Sequence, residues 1–395
     1  MERTMKAGKS EIVEPLVFSV CLLGFFSLFA IPMGMANMLN TMMETAYDLL
    51  VKTCFYLTAI CVLTGALSAL LAEFGVVGVV NRLLSSLLKP LYGLPGAASL
   101  GVVTTFLSDN PAILTLANDR GFRKYFKKYQ LPALTNLGTA FGMGLIICTF
   151  MISLQGKSAT GESYALPVLV GLIGAVVGSI VSVRIMLHFT KKLYGTEEPA
   201  LRTASDTTVA SAATAAVERP KQALSSRFLN AMLNGGKSGI KMGAAIVPGV
   251  LIICTLVMML TNGPDAETGQ YTGAAYEGIR LLPWIADKCE FFLKPLFGFS
   301  SGEAIAVPVT ALGAAGAAIG LVDGLLAKGL IHANDIAVFT AMCMCWSGYL
   351  STHVSMMNSL KSNELIGRAI FSHTIGGLCA GISANWLYVV LNYFF

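Results

Sequence analysis

Two carboxylates stand out because each lies within an apolar part of the chain. Asp109 follows a segment with several hydroxyls, and Glu303 follows two serines and a glycine. A carboxylate at the centre of a bilayer costs about 2.5–3.5 kcal/mol or more, so acidic residues at that depth are usually functional. Such a group would bind a solute amine, a hydroxyl or a coupling cation. The alternative is that either residue lies at the membrane interface and caps a helix.

Further polar side chains lie close in sequence to these carboxylates or interrupt the apolar segment after residue 340. A helical hydroxyl commonly bonds its own backbone, and a buried histidine is either structural or able to bind a solute or relay a proton. Asn136 and His373 are expected to join helices by hydrogen bonds. We expect the solute-binding residues to be Thr104, Thr105, Ser108, Asp109, Asn110, Ser300, Ser301, Glu303, Thr310, Trp346, Ser347 and His353.

Motifs for catalysis are missing from the sequence. It has no Walker loop, no metal-ligand cluster and no nucleophile triad, so we expect no enzyme, no ATP use and no bound cofactor. The nine cysteines are scattered, and Cys343 and Cys345 are too close together for an ordinary zinc pair. We interpret the cysteines as small buried apolar residues.

The two carboxylates are related by a repeated phrase. Leu-Lys-Pro-Leu-Tyr-Gly at 88–93 returns as Leu-Lys-Pro-Leu-Phe-Gly at 293–298, and each copy precedes a stretch rich in small residues. Weaker matches pair Leu39-Asn40 with Leu229-Asn230, and Thr135-Asn136 with Ser372-His373. Together these matches indicate an internal repeat. The segment 313–331 has no evident partner in the first half.

Composition assigns the chain to a class. Of its 395 residues, 55% are hydrophobic and 12% are charged, whereas a soluble domain is about a quarter charged. Several apolar runs of about twenty residues can each cross a bilayer as a helix. The chain is therefore expected to be an all-α polytopic membrane protein. The net charge of +5 comes from basic residues beside apolar segments, which favours an orientation signal over nucleic-acid binding.

Charge in the loops predicts the topology. The basic loop 120–128 and the linker 196–227 should face the cytoplasm. The loops 156–163 and 262–277 should face outward, as should the weakly basic loop near Lys361 and Arg368. Asp335 is expected to cap a helix running through Met357. The spans are expected at 16–35, 54–73, 131–154, 166–189, 242–260 and within 365–395.

Counting the crossings then predicts the architecture. The phrase at 88–93 lies between spans whose facing ends are both cytoplasmic, so this segment must enter and leave on one side, as a re-entrant hairpin does. An odd crossing at 155–195 would invert the second half. Inverted repeats whose broken helices meet at mid-membrane are typical of secondary transporters.

The repeated phrase and the Ser-His-Thr-Ile-Gly-Gly-Leu segment at 372–378 resemble the nucleoside-recognition, or Gate, membrane proteins. The chain looks like a fusion of spore maturation proteins A and B, and more distantly it is similar to concentrative nucleoside transporters. The hairpin signature of those transporters is Gly-Gln-Thr-Glu-Ala-Pro, and only its glutamate carries over, to Glu303. The resemblance implies an N-terminal helix at 1–38, Gate-like repeats at 39–154 and 229–395, a connecting helix at 155–195 and a linker at 196–228.

These features predict a secondary transporter of a small polar solute that is nucleoside-like, amino-acid-like, a peptide or an amine. The solute would bind at a central site between two re-entrant hairpins, with sodium or a proton as coupling ion. The expected location is a bacterial-type plasma (inner) membrane, where the protein crosses the lipid bilayer several times as a monomer or a homo-oligomer. The alternative is a non-transporting membrane assembly or a signalling component.

Overall fold

Long apolar runs determine the fold. The computed structural model describes residues 2–118, 120–157, 162–200 and 223–394. Those residues are almost entirely helical, and their one β-bridge joins Lys127 to Pro199. The helical segments long and apolar enough to cross a membrane are Val13–Met33, Met35–Glu73, Lys128–Ser153, Ala165–Tyr194, Leu224–Thr261 and Asn363–Phe394. The all-α polytopic fold expected from composition is confirmed.

The helices follow one another in a similar order in the two halves. The first half contains α1 (Glu2–Met33), α2 (Met35–Asp48), α3 (Phe55–Glu73), α4 (Val76–Tyr92), α5 (Ala98–Leu107), α6 (Pro111–Asn118), α7 (Arg120–Arg123), α8 (Ala133–Thr139), α9 (Gly144–Ser153) and α10 (Ala165–Tyr194). The second half contains α11 (Leu224–Gly249), α12 (Thr255–Thr261), α13 (Leu281–Lys288), α14 (Glu290–Phe297), α15 (Ala306–Ala311), α16 (Ala315–Ala327), α17 (Ala333–Cys345), α18 (Tyr349–Ser359) and α19 (Ile366–Phe394). A π-helical turn joins α2 to α3, and another joins α11 to α12.

Helices α3 and α11 pack against each other in opposite directions. A Cβ built on Gly239 would lie 2.2 Å from the Cys61 carbonyl oxygen, and one built on Gly65 would lie 2.6 Å from the Gly235 oxygen. Residue numbers thus rise along α3 as they fall along α11. Small residues allow this close approach of the two backbones. The expectation that the second and fifth spans run in opposite directions is confirmed.

Helices α10 and α19 form a second antiparallel pair. Gly178 faces Gly376 and Ala380, and Gly174 faces Ala380 and Ala384, each closely enough that an added Cβ would clash. The glycines at 178 and 376 are therefore required by backbone proximity rather than by an unusual backbone conformation.

The two copies of the repeated phrase adopt the same local structure. Each copy ends a helix, and its final glycine is left-handed, with φ 72° at Gly93 and 64° at Gly298. A long helix then supplies a donor to the fourth residue of each phrase. Arg184 of α10 donates to the Leu91 carbonyl at 2.8 Å, and Asn385 of α19 donates to the Leu296 carbonyl at 3.1 Å.

After each phrase comes the same series of interrupted helices. The pair α5–α6 is interrupted at Ser108–Asn110, and α15–α16 at Leu312–Ala314. The pair α8–α9 is interrupted at 140–143, and α17–α18 at 346–348. A long helix, α10 or α19, ends each series. In this order, α16, which lies within the segment 313–331, is the counterpart of α6, and α19 is the counterpart of α10.

Two expectations about the second half are wrong. The helix expected from Asp335 through Met357 is interrupted, because Gly348 takes a left-handed conformation with φ 66°. The loop after α18 does not lie at the outer end of the molecule. The Tyr194 hydroxyl, at the end of α10, donates to Glu364 at 2.5 Å, and Lys361 lines a cavity with Arg123 and Lys128.

Loop charge failed as a guide at this position because the loop has only two basic residues, Lys361 and Arg368, against five in 120–128. The loop belongs to the same end of the molecule as the basic loop 120–128. At that end, Arg227, in the first turn of α11, pairs with Glu73 of α3 at 2.7 Å. Most of the expected linker, 201–222, and part of the expected outer loop, 158–161, lie outside the described residues.

Candidate functional site

All four helix interruptions border one cavity of about 550 Å³. Asp109 and Asn110 come from the break between α5 and α6, which is the tip of the first helical hairpin, and Gly313 and Ala314 come from the break between α15 and α16, the tip of the second. Met143 lines the cavity from the break between α8 and α9. The break between α17 and α18 supplies Ser347 and Gly348, and α18 supplies Thr352. Helix α11 supplies several further residues, among them Ser238, Lys241 and Met242. The fold thus brings together segments that are more than 200 residues apart in sequence.

A helix begins at each of these interruptions. Helices α9, α16 and α18 follow Met143, Ala314 and Gly348, none of which makes a side-chain capping bond. Helix α6 follows Asn110. The first N–H groups of a helix have no partner within that helix, and its amino terminus carries a partial positive charge. Four helix amino termini therefore adjoin one cavity.

Asp109 lies on the wall of this cavity. Its carboxylate accepts the backbone N–H of Asn110 at 2.7 Å, and the residue is half-buried. Among the described residues, Asp109 forms no ion pair. Its carboxylate therefore keeps capacity to accept hydrogen bonds from a bound group.

Asn110 connects the first hairpin tip to the breaks in α8–α9 and in α17–α18. Its side-chain N–H donates to the Ser347 carbonyl at the break in α17–α18. Its side-chain oxygen lies against Gly142, where an added Cβ would come within 1.6 Å. Asn110 is 3% exposed, and its oxygen has no hydrogen-bond partner in the described part of the chain. Residue 142 must therefore be glycine for this arrangement to hold.

Lys241 is a lining residue that the sequence analysis did not select. The fifth span was expected to begin at Met242, which left Lys241 just outside the membrane. The structure extends this helical span back to Leu224, so Lys241 lies well inside it. A lysine within an apolar span is a functional signal, and a longer helix assignment would have revealed it.

Glu303 does not line the cavity that contains Asp109. Its carboxylate accepts from the Arg280 guanidinium, with 2.8 Å between Nη2 and Oε1. Glu303 is 9% exposed, while the Arg280 side chain is 59% exposed. The cationic partner of Glu303 in this structure is thus a residue of the chain itself.

The expected hydroxyls mostly bond nearby protein groups. Those of Thr104, Thr105, Ser108 and Thr310 donate to carbonyls of their own segments. Ser300 donates through its backbone and its hydroxyl to the buried Asp335 carboxylate, which also accepts the His332 N–H. The buried Ser301 hydroxyl has no partner among the described residues. Asp335 caps α17 as expected, and Ser300 reinforces that cap.

The histidines belong to a buried network between helices. Asn136 donates to the Ser182 hydroxyl at 2.9 Å, and Ser182 lies 2.8 Å from Nδ1 of His373. Because Nε2 of His373 faces the Cys345 carbonyl, the neutral ring donates there and accepts from Ser182. The expected helix-joining role of Asn136 and His373 is confirmed.

His353 and Trp346 adjoin the same network. The Trp346 indole donates to the His373 carbonyl at 3.3 Å. The Nδ1 atom of His353 donates to the Tyr349 carbonyl at 2.8 Å, and its ring centroid lies 4.8 Å from that of His373. Neither His353 nor Trp346 lines the cavity described above. Of the twelve residues expected at the site, the cavity includes Asp109, Asn110 and Ser347.

Comparison with known proteins identifies similar folds. No protein-family model and no curated protein sequence matches the chain. Solved structures of the concentrative nucleoside transporter CNTnw do match. The inward-facing substrate-bound state has 14% identity and a TM-score of 0.51, covering 96% of this chain and 85% of that one. A variant in an outward-facing state has 15% identity and a TM-score of 0.53, covering 96% and 84%. The protein is therefore a multi-pass membrane protein with a nucleoside-transporter-like fold.

Proposed function

We propose that this protein is a secondary transporter of a small polar solute. The observation that carries the proposal is the single cavity bordered by two hairpin tips and two interrupted spans. Irregular backbone at membrane depth is tolerated where protein or a water-filled cavity surrounds it. Similarity to a nucleoside-transporter fold adds support, because that architecture serves transport in CNTnw.

In this proposal, α5–α6 and α15–α16 are re-entrant hairpins entering from opposite sides of the membrane. The solute binds between their tips, and movement of the hairpins relative to the interrupted spans exposes it to one side at a time. Transport is coupled to sodium or to protons and takes place in a bacterial-type inner membrane. The repeats that contain the two hairpins are inverted relative to each other.

Uptake into proteoliposomes tests this function. The purified full-length chain is reconstituted, and accumulation of radiolabelled alanine, leucine, dialanine, uridine, adenosine and putrescine is measured with a sodium gradient, a proton gradient or neither. We expect one solute class to accumulate above the external concentration only when one of the gradients is present. Equilibration without accumulation, or no entry of any of the six, would contradict the proposal.

Asp109→Asn tests the position of the site. This change keeps the size of the side chain and removes its charge, so uptake should fall at least tenfold while the melting temperature changes by less than 2 °C, roughly the shift from under 1 kcal/mol. Glu290→Gln is the control, because Glu290 is largely exposed and pairs with Lys294 on the surface of α14. Uptake by Asp109→Asn equal to that of the control would place the site elsewhere.

A further inference from the structure

The central cavity carries charges of both signs. Asp109 lines it from the first hairpin and Lys241 lines it from α11. In the parts of the chain that the structure describes, neither residue forms an ion pair. These are the only two ionisable side chains among the described lining residues. Two separate charges on one small cavity would match a solute that carries both an ammonium group and an anion.

The helix amino termini at the cavity also favour binding of the solute's anionic group. Each helix amino terminus is equivalent to roughly half a positive charge, and α6, α9, α16 and α18 all begin beside the cavity. The Asp109 carboxylate already accepts the N–H at the start of α6. The other three termini have no side-chain cap. The last residues of the preceding helices α5, α8, α15 and α17 do not line the cavity, so these amino termini, together with Lys241, favour an anionic group there.

The rest of the lining argues against a nucleobase. Apart from the polar groups already named, the described lining residues are glycine, alanine, isoleucine and methionine, with no aromatic ring among them. A flat base bound here would lack a ring to stack on, and ring stacking contributes about 0.5–1.5 kcal/mol. A volume of about 550 Å³ lies in the range of small-molecule sites, about 300–1,000 Å³.

We propose that this cavity selects small zwitterions of the α-amino-acid class. The solute carboxylate lies toward Lys241 and the start of α16, and its ammonium group lies toward Asp109. Lys241 is thus a specificity-determining residue. This assignment rests on the transport function proposed above, and it adds the substrate class.

Analogues that lack one charge test the assignment on the intact protein. Binding to the detergent-purified full-length chain is measured by calorimetry for alanine and leucine. Their amines, ethylamine and 3-methylbutylamine, and their acids, propionate and 4-methylpentanoate, are measured in parallel with uridine. We expect at least one of the two amino acids to bind at least tenfold more tightly than both of its one-charge analogues and than uridine. Equal or tighter binding of an analogue, or binding of neither amino acid, would overturn the assignment.

A matched pair of lysine variants tests where the solute carboxylate binds. Lys241→Met should weaken binding of the amino acid at least tenfold and leave binding of its amine within twofold. Lys237→Met is the control, because Lys237 lies one turn earlier on α11 and does not line the cavity. Both variants should melt within 2 °C of the original protein, since both lysines are exposed. Equal effects of the two variants on amino-acid binding would remove Lys241 from the site.

The outcomes separate this assignment from the transport function. Accumulation of uridine, unaffected by Lys241→Met, would refute the zwitterion assignment and leave transport standing. Amino acids that bind with the expected dependence on Lys241, but never accumulate in proteoliposomes, would refute transport and leave the assignment of the cavity standing.

Discussion

Asp109 and Glu303 have similar surroundings in the sequence but different partners in the fold. Both lie in apolar segments with hydroxyl residues nearby, after copies of the same phrase. Glu303 comes five residues after the phrase ends and meets Arg280 from the preceding loop. Asp109 comes sixteen residues after its phrase and reaches the hairpin tip. Position along the hairpin therefore decides whether the carboxylate faces the chain or the cavity.

The pairing of Glu303 with Arg280 predicts a measurable coupling. Glu303→Gln and Arg280→Gln should each lower the melting temperature, and the double variant should lower it by less than the sum of the two. The coupling should be about 0.5–1 kcal/mol, because the Arg280 side chain is 59% exposed and solvent weakens the pair. Differential scanning calorimetry of the four proteins gives this value.

The exposed pair of Glu290 and Lys294 provides the control. The same cycle with glutamine at these positions should show coupling near zero, since both side chains are at least 64% exposed. Strict additivity for Glu303 and Arg280 would mean that their ion pair contributes nothing to the fold.

Individual residue roles could be predicted where local chemistry decides them. The back-bonding of Thr104 and Thr105 follows from a hydroxyl in a helix, and the cap at Asp335 follows from its position before an apolar run. The partner of Glu303 could not be predicted, because it depends on where the loop 262–280 folds. Lys241 was missed because hydropathy placed the start of the helix too late.

Among the helices, α3 and α11 join the two halves through close contact of their backbones. Four of the five glycines of α11 fall on one buried face: Gly235, Gly236, Gly239 and Gly243. Three of them touch α3 closely, and Gly236 meets only the Val62 side chain, at 3.6 Å from an added Cβ. This face therefore has no room for an added Cβ at three of the glycines, whereas Gly236 has room for one.

This difference predicts opposite outcomes for two alanine substitutions. Gly239→Ala should lower the melting temperature by several degrees, because its Cβ would lie 2.2 Å from the Cys61 carbonyl oxygen and the helices must separate. Gly236→Ala should keep or raise the melting temperature, since alanine favours a helix over glycine by about 1 kcal/mol. Thermal unfolding of both variants in one detergent makes the comparison, and equal losses would contradict this packing.

The sequence predicted most of the helices but not all of their interruptions. The repeated phrase, ending in Gly93 and Gly298, marks a helix end because glycine tolerates a left-handed conformation. The break at Trp346–Gly348 was read as part of a continuous helix, since apolar residues flank it on both sides. Such a break is stabilised by distant groups, such as the Asn110 side chain that donates to the Ser347 carbonyl.

On the scale of the whole molecule, polar contacts between the two halves of the chain lie at two opposite ends. At one end, Glu73 pairs with Arg227, and Tyr194 donates to Glu364. At the other end, Asn37 donates to the Tyr271 carbonyl, and the Tyr276 hydroxyl donates to Asp48. The positive-inside tendency assigns the first end to the cytoplasm, because the basic loop at 120–128 lies there.

Cysteine labelling tests this assignment in intact cells. In a cysteine-free background, we expect a membrane-impermeant maleimide to label Glu267→Cys from outside. Lys361→Cys should react only after the cells are permeabilised, and Lys127→Cys, in the basic loop, should behave as Lys361→Cys does. Reaction of Lys361→Cys in intact cells would place the loop after α18 outside. It would contradict the assignment of this loop and the basic loop 120–128 to the same end of the molecule.

The antiparallel helix pairs have a genetic consequence. Each pair takes one helix from each half, α3 with α11 and α10 with α19, so the halves are held together by packed surfaces as well as by the chain between Ala200 and Ala223. The architecture therefore does not require the two halves to be joined in a single polypeptide. Two genes, one for each half, could encode the same assembly, and the fusion of two such genes would fix their ratio at one to one.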